Sequence, residues 1–136
     1  KWTIDPGVVI EFEEARGLFL DELSDDGSAI IAKGTPEEPI IFTGETKIPG
    51  SWKALSIRRT SSVQNILDNV IVEYAGGEGT GGAIEMWVDP VLTVSNTTIR
   101  NSKGCALFTK YKPENPNLTD SKNRIENVAG GYLCGE

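Results

Sequence analysis

The chain has 136 residues, a net charge of −7 and no histidine. Its acidity argues against nucleic acid or an anionic membrane as a partner, because both require a basic surface. The absence of histidine removes the commonest general base and the commonest ligand for zinc, copper or iron, and no run approaches the roughly 18 apolar residues of a membrane span.

Short apolar phrases recur along the whole chain at intervals of about 26 to 32 residues. Within each phrase apolar and polar residues alternate, which is typical of a strand with one buried face. Glycine and proline separate the phrases, so helices are not expected. In chain order the predicted strands are 2–4, 8–12 and 18–20; 29–32, 40–42 and 52–57; 65–67, 70–74 and 83–86; 92–94, 97–99 and 106–108; and, in a partial last group, 124–127 and 132–134.

This repeat predicts an all-β fold, a right-handed parallel β-helix with three short strands per turn, or rung, and four to five rungs in one domain of residues 1–136. A twisted antiparallel sandwich would not explain why equivalent residues recur once per rung. The left-handed hexapeptide helix requires an apolar residue every six positions, and the spacing here is irregular. Residues 21–28 and 110–122 contain no strand phrase, so both are expected to be surface loops.

Equivalent side chains should stack on successive rungs, about 4.8 Å apart. Two inward columns are expected, Ile10/Ile40/Val72/Ile99/Ile125 and Leu18/Leu55/Ile84/Leu107/Leu133, with Phe12, Phe42 and Tyr74 as a third. Asparagines at equivalent bends, Asn69 with Asn96 and Asn101 with Asn127, are expected to adopt left-handed backbone and to bond along their columns.

The two cysteines, Cys105 and Cys134, are too few for a structural zinc site. The strand register places Cys105 beside Gly131, and Cys134 beside Phe108 on the opposite face of its strand. Their Cα atoms should then lie beyond the limit of about 7 Å for a disulfide. Two unpaired thiols are therefore expected.

Several stretches resemble a known family. They are Trp2–Phe12 (WTIDPGVVIEF), Ala32–Thr43 (AKGTPEEPIIFT), Pro49–Trp52 (PGSW) and Val94–Ser102 (VSNTTIRNS). Together they resemble bacterial right-handed parallel β-helix domains of the pectin-lyase-like type, over nearly the entire chain. The resemblance implies a secreted or surface-attached bacterial protein from a carbohydrate-handling or adhesive multidomain chain. Many such domains have no known activity, so it implies a fold and a setting rather than a reaction.

The outward column of the middle strand is the best candidate for catalysis. On successive rungs this column should contain Glu11, Ile41, Glu73, Arg100 and Glu126, all facing solvent. The catalytic candidates are Glu73, Arg100 and Glu126. Paired carboxylates can act as acid and base at a suitable separation, with the arginine stabilising charge. The competing interpretation is a structural ladder of alternating charge, in which each exposed pair contributes about 0–1 kcal/mol.

Two further kinds of site are considered. Trp52, Trp87 and Tyr111 lie at strand ends or in loops, where exposed aromatic faces would bind sugars. The acidic segment containing Asp21, Asp25 and Asp26 offers oxygen ligands for calcium, although it does not match an EF-hand loop.

The function that the sequence favours is a non-catalytic extracellular or cell-surface module with a rigid acidic surface for interaction or spacing. A polysaccharide-active enzyme on acidic glycans and a carbohydrate-binding module are the alternatives; the partner would be a polysaccharide or surface glycan. Strand phrases reach both ends of the sequence, so a piece of a longer chain is expected, with flanking domains or end-to-end stacking of copies.

Overall fold

The structure is a computed structural model that describes residues 2–21, 29–58, 64–87, 90–110 and 115–135. Fifteen short strands account for its regular secondary structure, and the described residues contain no helix. The strands are β1 (Trp2–Ile4), β2 (Val9–Phe12), β3 (Leu18–Asp21), β4 (Ile30–Lys33), β5 (Ile40–Gly44), β6 (Leu55–Arg58), β7 (Gln64–Asp68), β8 (Val70–Glu73), β9 (Gly82–Trp87), β10 (Val91–Ser95), β11 (Thr98–Ser102), β12 (Cys105–Thr109), β13 (Leu118–Ser121), β14 (Arg124–Val128) and β15 (Leu133–Gly135).

The strands form three five-stranded parallel sheets, to which each rung contributes one strand apiece. Sheet A contains β1, β4, β7, β10 and β13; sheet B contains β2, β5, β8, β11 and β14; and sheet C contains β3, β6, β9, β12 and β15. Each strand pairs in parallel with the strand three positions further along the chain, so the chain winds as a β-solenoid. The predicted architecture of three strands per rung is confirmed.

Strand β13 was not predicted. It lies within the segment 110–122, which was expected to be a loop because it is polar and rich in proline and asparagine. Its residues pair with β10 from Leu118 to Ser121, so the last rung also has three strands. Three of the four residues in β13 are exposed, which explains why the strand has little apolar pattern.

The side chains that point inward from the three sheets form one continuous core. The sheet C column of Leu18, Leu55, Ile84, Leu107 and Leu133 is paired in register as predicted. Burial of such aliphatic columns contributes about 1.5–3 kcal/mol per fully buried side chain, so they stabilise the solenoid.

The sheet B column differs from the prediction by two residues in the second rung. Phe42, and not Ile40, lies between Ile10 and Val72, while Ile40 pairs with Val70. Because side chains alternate with a period of two, a two-residue slip keeps the same residues on the inner face. Ile40 and Phe42 are both fully buried, and alternation alone cannot distinguish the two registers.

Turns at the corners of the solenoid require left-handed backbone. Gly76 has φ +84, and a side chain there would also collide with the backbone carbonyl of Lys103 on the next rung. Glycine meets both requirements because it has no Cβ.

No helix among the described residues is long and apolar enough to cross a bilayer.

The outer rungs leave apolar side chains accessible. Val9 is 55% exposed in the first rung and Ile125 is 37% exposed in the last. Ile99, one rung inward from Ile125, is fully buried, so the exposure of Ile125 follows from its place on the outermost described rung.

Candidate functional site

The outward column of sheet B brings Glu73 and Arg100 into direct contact. Arg100 Nε lies 2.7 Å from Glu73 Oε1, and Thr43 Oγ1 donates to Glu73 Oε2 at 2.8 Å. Glu126 lies opposite Arg100 in the ladder, but its carboxylate bonds to Arg124 Nη2 at 3.2 Å. The three candidate residues therefore share a column, while only two of them are joined by a hydrogen bond.

Both carboxylate oxygens of Glu73 are occupied, and its side chain is only 13% exposed. A general acid or base must bring an oxygen within hydrogen-bond reach of a substrate proton. Glu73 would have to give up Thr43 or Arg100 to do so. The arrangement can therefore cross-link three rungs, and it is poorly suited to proton transfer.

Sequence reasoning missed two members of this network. Thr43, and not Ile41, lies between Glu11 and Glu73, because of the two-residue slip in β5. Lys47 follows β5 in a turn, where strand periodicity gives no signal. Its Nζ lies 2.7 Å from Gly44 O, 3.2 Å from Thr43 Oγ1 and 3.3 Å from Glu11 Oε2.

Trp52 is a core residue, and the expectation that it exposes an aromatic face is wrong. It is fully buried, its ring stacks on Phe12 with centroids 4.2 Å apart, and its Nε1 donates to Glu73 O at 2.8 Å. Phe12 was expected to stack on Phe42, but it lies opposite Gly44, and this small residue leaves room for the indole. Trp52 cannot present its face to a sugar.

Trp87 is partly exposed on the outer face of sheet C, and cations lie over its ring from both neighbouring rungs. Arg58 is 5.4 Å and Lys110 is 5.2 Å from the ring centroid. Phe108 packs against it at 5.7 Å with a tilt of 41°. The ring is thus engaged in cation–π contacts and is less available as a sugar platform. Tyr111 lies outside the described residues.

A buried carboxylate on the same face holds the glycine-rich turn before β9. Glu85 is 2% exposed, and its Oε2 accepts the backbone N–H of Gly81 at 2.6 Å. A charge-assisted bond of this kind stabilises a turn that contains several glycines, which would otherwise have many accessible conformations.

Of the proposed calcium ligands, Asp25 and Asp26 lie outside the described residues. Asp21 is exposed at the end of β3 and pairs in register with Arg58. Within the described ranges, no group of three or more candidate metal ligands occurs. A calcium site at Asp21, Asp25 and Asp26 stays a prediction.

The asparagine bends adopt the predicted left-handed backbone, with φ between +48 and +54 at Asn69, Asn96, Asn101 and Asn127. Asn127 Nδ2 donates to Asn101 Oδ1 at 3.0 Å, so this pair forms the expected amide ladder. Asn69 and Asn96 instead both donate to the carboxylate of Asp68, at 3.3 and 2.9 Å. An adjacent carboxylate competes with the neighbouring amide because a charged acceptor forms a stronger hydrogen bond.

Cys105 and Cys134 form a disulfide, so the expectation of two free thiols is wrong. Their Cα atoms lie 6.2 Å apart, within the usual range for a disulfide. The pairing of Phe108 with Cys134 is as predicted. The distance estimate failed because it treated the chain as straight strand from Cys105 to Phe108. With Cys134 beside Phe108, a Cα separation of 6.2 Å from Cys105 requires the chain to bend between Cys105 and Phe108.

Comparison of the chain with protein-family models, curated proteins and solved structures found no match.

Proposed function

We propose that the chain is a non-catalytic extracellular module whose solenoid provides a rigid surface for interaction or spacing. The main support for this proposal is that Thr43 and Arg100 each donate a hydrogen bond to the carboxylate of Glu73. The outward column of sheet B was the best candidate for a catalytic centre in the sequence, and these hydrogen bonds make it a structural cross-link between rungs. Rigid rungs that hold side chains at fixed spacing suit recognition of a repeating or extended partner.

The disulfide supports an extracellular location. Disulfides persist in oxidising environments and are rare in reducing cytosol. The bond between Cys105 and Cys134 joins β12 to β15 and so fastens the last rung, whose β13 and β14 are largely exposed. The sequence resemblance favours a bacterial protein that is secreted or attached to the cell surface. It also favours right-handed winding of the solenoid, as in pectin-lyase-like domains.

Association along the solenoid axis, with flanking domains or with further copies, is part of the same proposal. Ile125, whose column faces the core, is exposed on the last described rung, and the outermost strands of the three sheets offer backbone groups for pairing. Sedimentation velocity over a range of concentrations measures association between copies. Replacement of Ile125 by lysine should weaken it.

Enzyme assays on pectin, alginate and related polyuronates, with and without calcium, test the proposal. We expect no turnover from the parent chain.

Glu73→Gln should lower the free energy of unfolding by about 1–2 kcal/mol, because it weakens charge-assisted hydrogen bonds that are partly buried. Glu126→Gln is the matched control, and it should change stability by less than about 0.5 kcal/mol, because its contact with Arg124 is exposed. Turnover that disappears in Glu73→Gln but persists in Glu126→Gln would overturn the proposal.

A further inference from the structure

A small concavity lies at the corner between sheets A and B, on the second to fourth rungs. It has a volume of about 160 Å³, comparable with the room that a single pyranose ring occupies. Its apolar lining consists of Pro36, Pro39, Val70 and Ile71. The polar lining includes Asn69, Asn96 and Thr98. Apolar walls with a few polar groups are typical of small-molecule sites.

Asp68 fixes the orientation of the two asparagine amides. Its Oδ1 accepts hydrogen bonds from Asn96 Nδ2 at 2.9 Å and from Ser95 Oγ at 2.8 Å, and its Oδ2 accepts one from Asn69 Nδ2 at 3.3 Å. Burial raises the pKa of Asp68, but these hydrogen bonds and the charge of Lys33 outweigh it and hold the pKa below its usual value. Asp68 is therefore ionised at neutral pH and can only accept hydrogen bonds.

Since each amide directs its NH₂ group toward Asp68, its oxygen faces away from the carboxylate. Within the described part of the chain, neither Asn69 Oδ1 nor Asn96 Oδ1 accepts a hydrogen bond. Both backbones are held in the left-handed region, with φ +53 and +48, so the two acceptors are positioned before any ligand arrives. Such preorganisation reduces the entropy lost on binding.

We propose that this corner pocket binds one unit of a neutral saccharide, with the asparagine oxygens accepting sugar hydroxyls and Pro36, Pro39 and Ile71 contacting the C–H face of the ring. This rests on the proposed function, because it names the partner class of the interaction module. An anionic ligand is disfavoured since the fixed groups are acceptors beside a carboxylate in a chain of net charge −7. A cationic ligand is disfavoured because three neutral donors already occupy the oxygens of Asp68 and the positive charge of Lys33 acts on the same carboxylate.

NMR titration of the whole, disulfide-intact chain tests the proposal. The probes are neutral oligosaccharides of gluco, galacto and manno configuration. An oligouronate serves as the anionic comparison arm and an amino sugar as the cationic one. We expect at least one neutral saccharide to cause saturable shift changes at the Asn69 and Asn96 side-chain amides and at Ile71, with no comparable response to the other two arms.

Asn96→Gly removes one acceptor and retains a residue that adopts positive φ readily. It should weaken binding about 3- to 10-fold, as expected for the loss of one hydrogen bond. Asn127→Gly is the matched control, because Asn127 has φ +54 and its side chain donates to Asn101, away from the pocket. Its affinity should stay within about 2-fold of the parent.

Three outcomes would overturn the inference: no neutral saccharide perturbs the pocket, an oligouronate or amino sugar binds there more tightly, or Asn96→Gly binds as tightly as Asn127→Gly. Binding of a saccharide elsewhere on the surface would also overturn it, while leaving the interaction module intact. Cleavage of a polysaccharide would instead refute the non-catalytic function itself, so the two failures are distinguishable.

Discussion

Replacement of Trp52 is the most direct test of how the core packs between rungs. The residue was predicted as an exposed ligand-binding aromatic, and the structure places it in the core, fully buried and stacked on Phe12 at 4.2 Å. Trp52→Ala removes the whole indole. Truncation of a buried large aromatic lowers stability by about 3–5 kcal/mol, a figure that includes the lost stacking. The carbonyl of Glu73 also loses its indole donor, which adds about 1 kcal/mol.

The expected total of about 4–6 kcal/mol is a large share of the 5–15 kcal/mol that stabilises a typical domain. Trp52→Phe keeps an aromatic ring beside Phe12 and loses the N–H donor, so it should lower stability by about 1–2 kcal/mol. Trp87→Phe provides a matched control, since Trp87 Nε1 is buried and has no hydrogen-bond partner among the described residues. The same substitution there removes no hydrogen bond, and the change should stay below about 1 kcal/mol.

Urea unfolding with the disulfide intact measures these differences, followed by both tryptophan fluorescence and far-UV circular dichroism. Coincident transitions and an unchanged m-value are needed before the free energies are compared, because stacked repeats do not always unfold in one step. Two results would refute the reasoning: Trp52→Ala as stable as the parent within about 0.5 kcal/mol, or equal losses in Trp52→Phe and Trp87→Phe.

Three further predictions concern the last rung. Lys122 is exposed with φ +56, so Lys122→Gly should raise the free energy of unfolding by about 0.5–1 kcal/mol in chemical denaturation, whereas Lys122→Ala should give no gain. Burial and the hydrogen bond to Asp120 raise the pKa of Tyr132 to about 12 from 10.0, so its contribution to stability is complete below pH 10 and is lost as the pH rises toward 12. The loss of stability at alkaline pH should be absent in Tyr132→Phe. If the free energy of unfolding of Tyr132→Phe depended on pH in the same way as that of the parent, the prediction would be contradicted. Replacing Cys105 and Cys134 by serine should lower stability by about 3–4 kcal/mol, given a sequence separation of 29; equal stability of the parent and the double variant would contradict the structural role of the bond.

The sequence predicted the features that depend on the alternation of side chains within a strand and on the repeat length of the rungs. Strand identity, the parallel stacking and the full sheet C column from Leu18 to Leu133 all follow from alternation within a phrase and recurrence between phrases. The register of β5 could not be predicted in the same way. Ile40 and Phe42 are both apolar and both face inward, so the choice depends on the length of the turn before the strand and on packing against Val72.

The errors at the candidate site arose where the chain leaves the strands. Trp52 and Lys47 lie in the long connection between β5 and β6, where side-chain direction does not follow a period of two. The disulfide depended on the path of the chain where β12 begins, because Cys105 lies closer to Cys134 than a straight strand from Cys105 to Phe108 would allow. Such features are set by three-dimensional packing of turns from adjacent rungs, and a single sequence carries little signal for them.

The solenoid imposes a constraint that bears on where its function lies. Stacking at about 4.8 Å favours identical apolar residues in the core but penalises identical charges on the surface, so an outer column alternates in sign or is interrupted by a hydroxyl. The sequence of Glu11, Thr43, Glu73 and Arg100 satisfies that requirement, and its hydrogen bonds join successive rungs. Alternating charge on a solenoid strand is therefore weak evidence for catalysis. A better indicator is a polar atom that is held in place and left open to a ligand. The amide oxygens of Asn69, which is half-buried, and of Asn96, which is exposed, meet that condition, because no described residue donates to them. This criterion favours the corner turns over the flat faces of the sheets as the place where the molecule binds its partner.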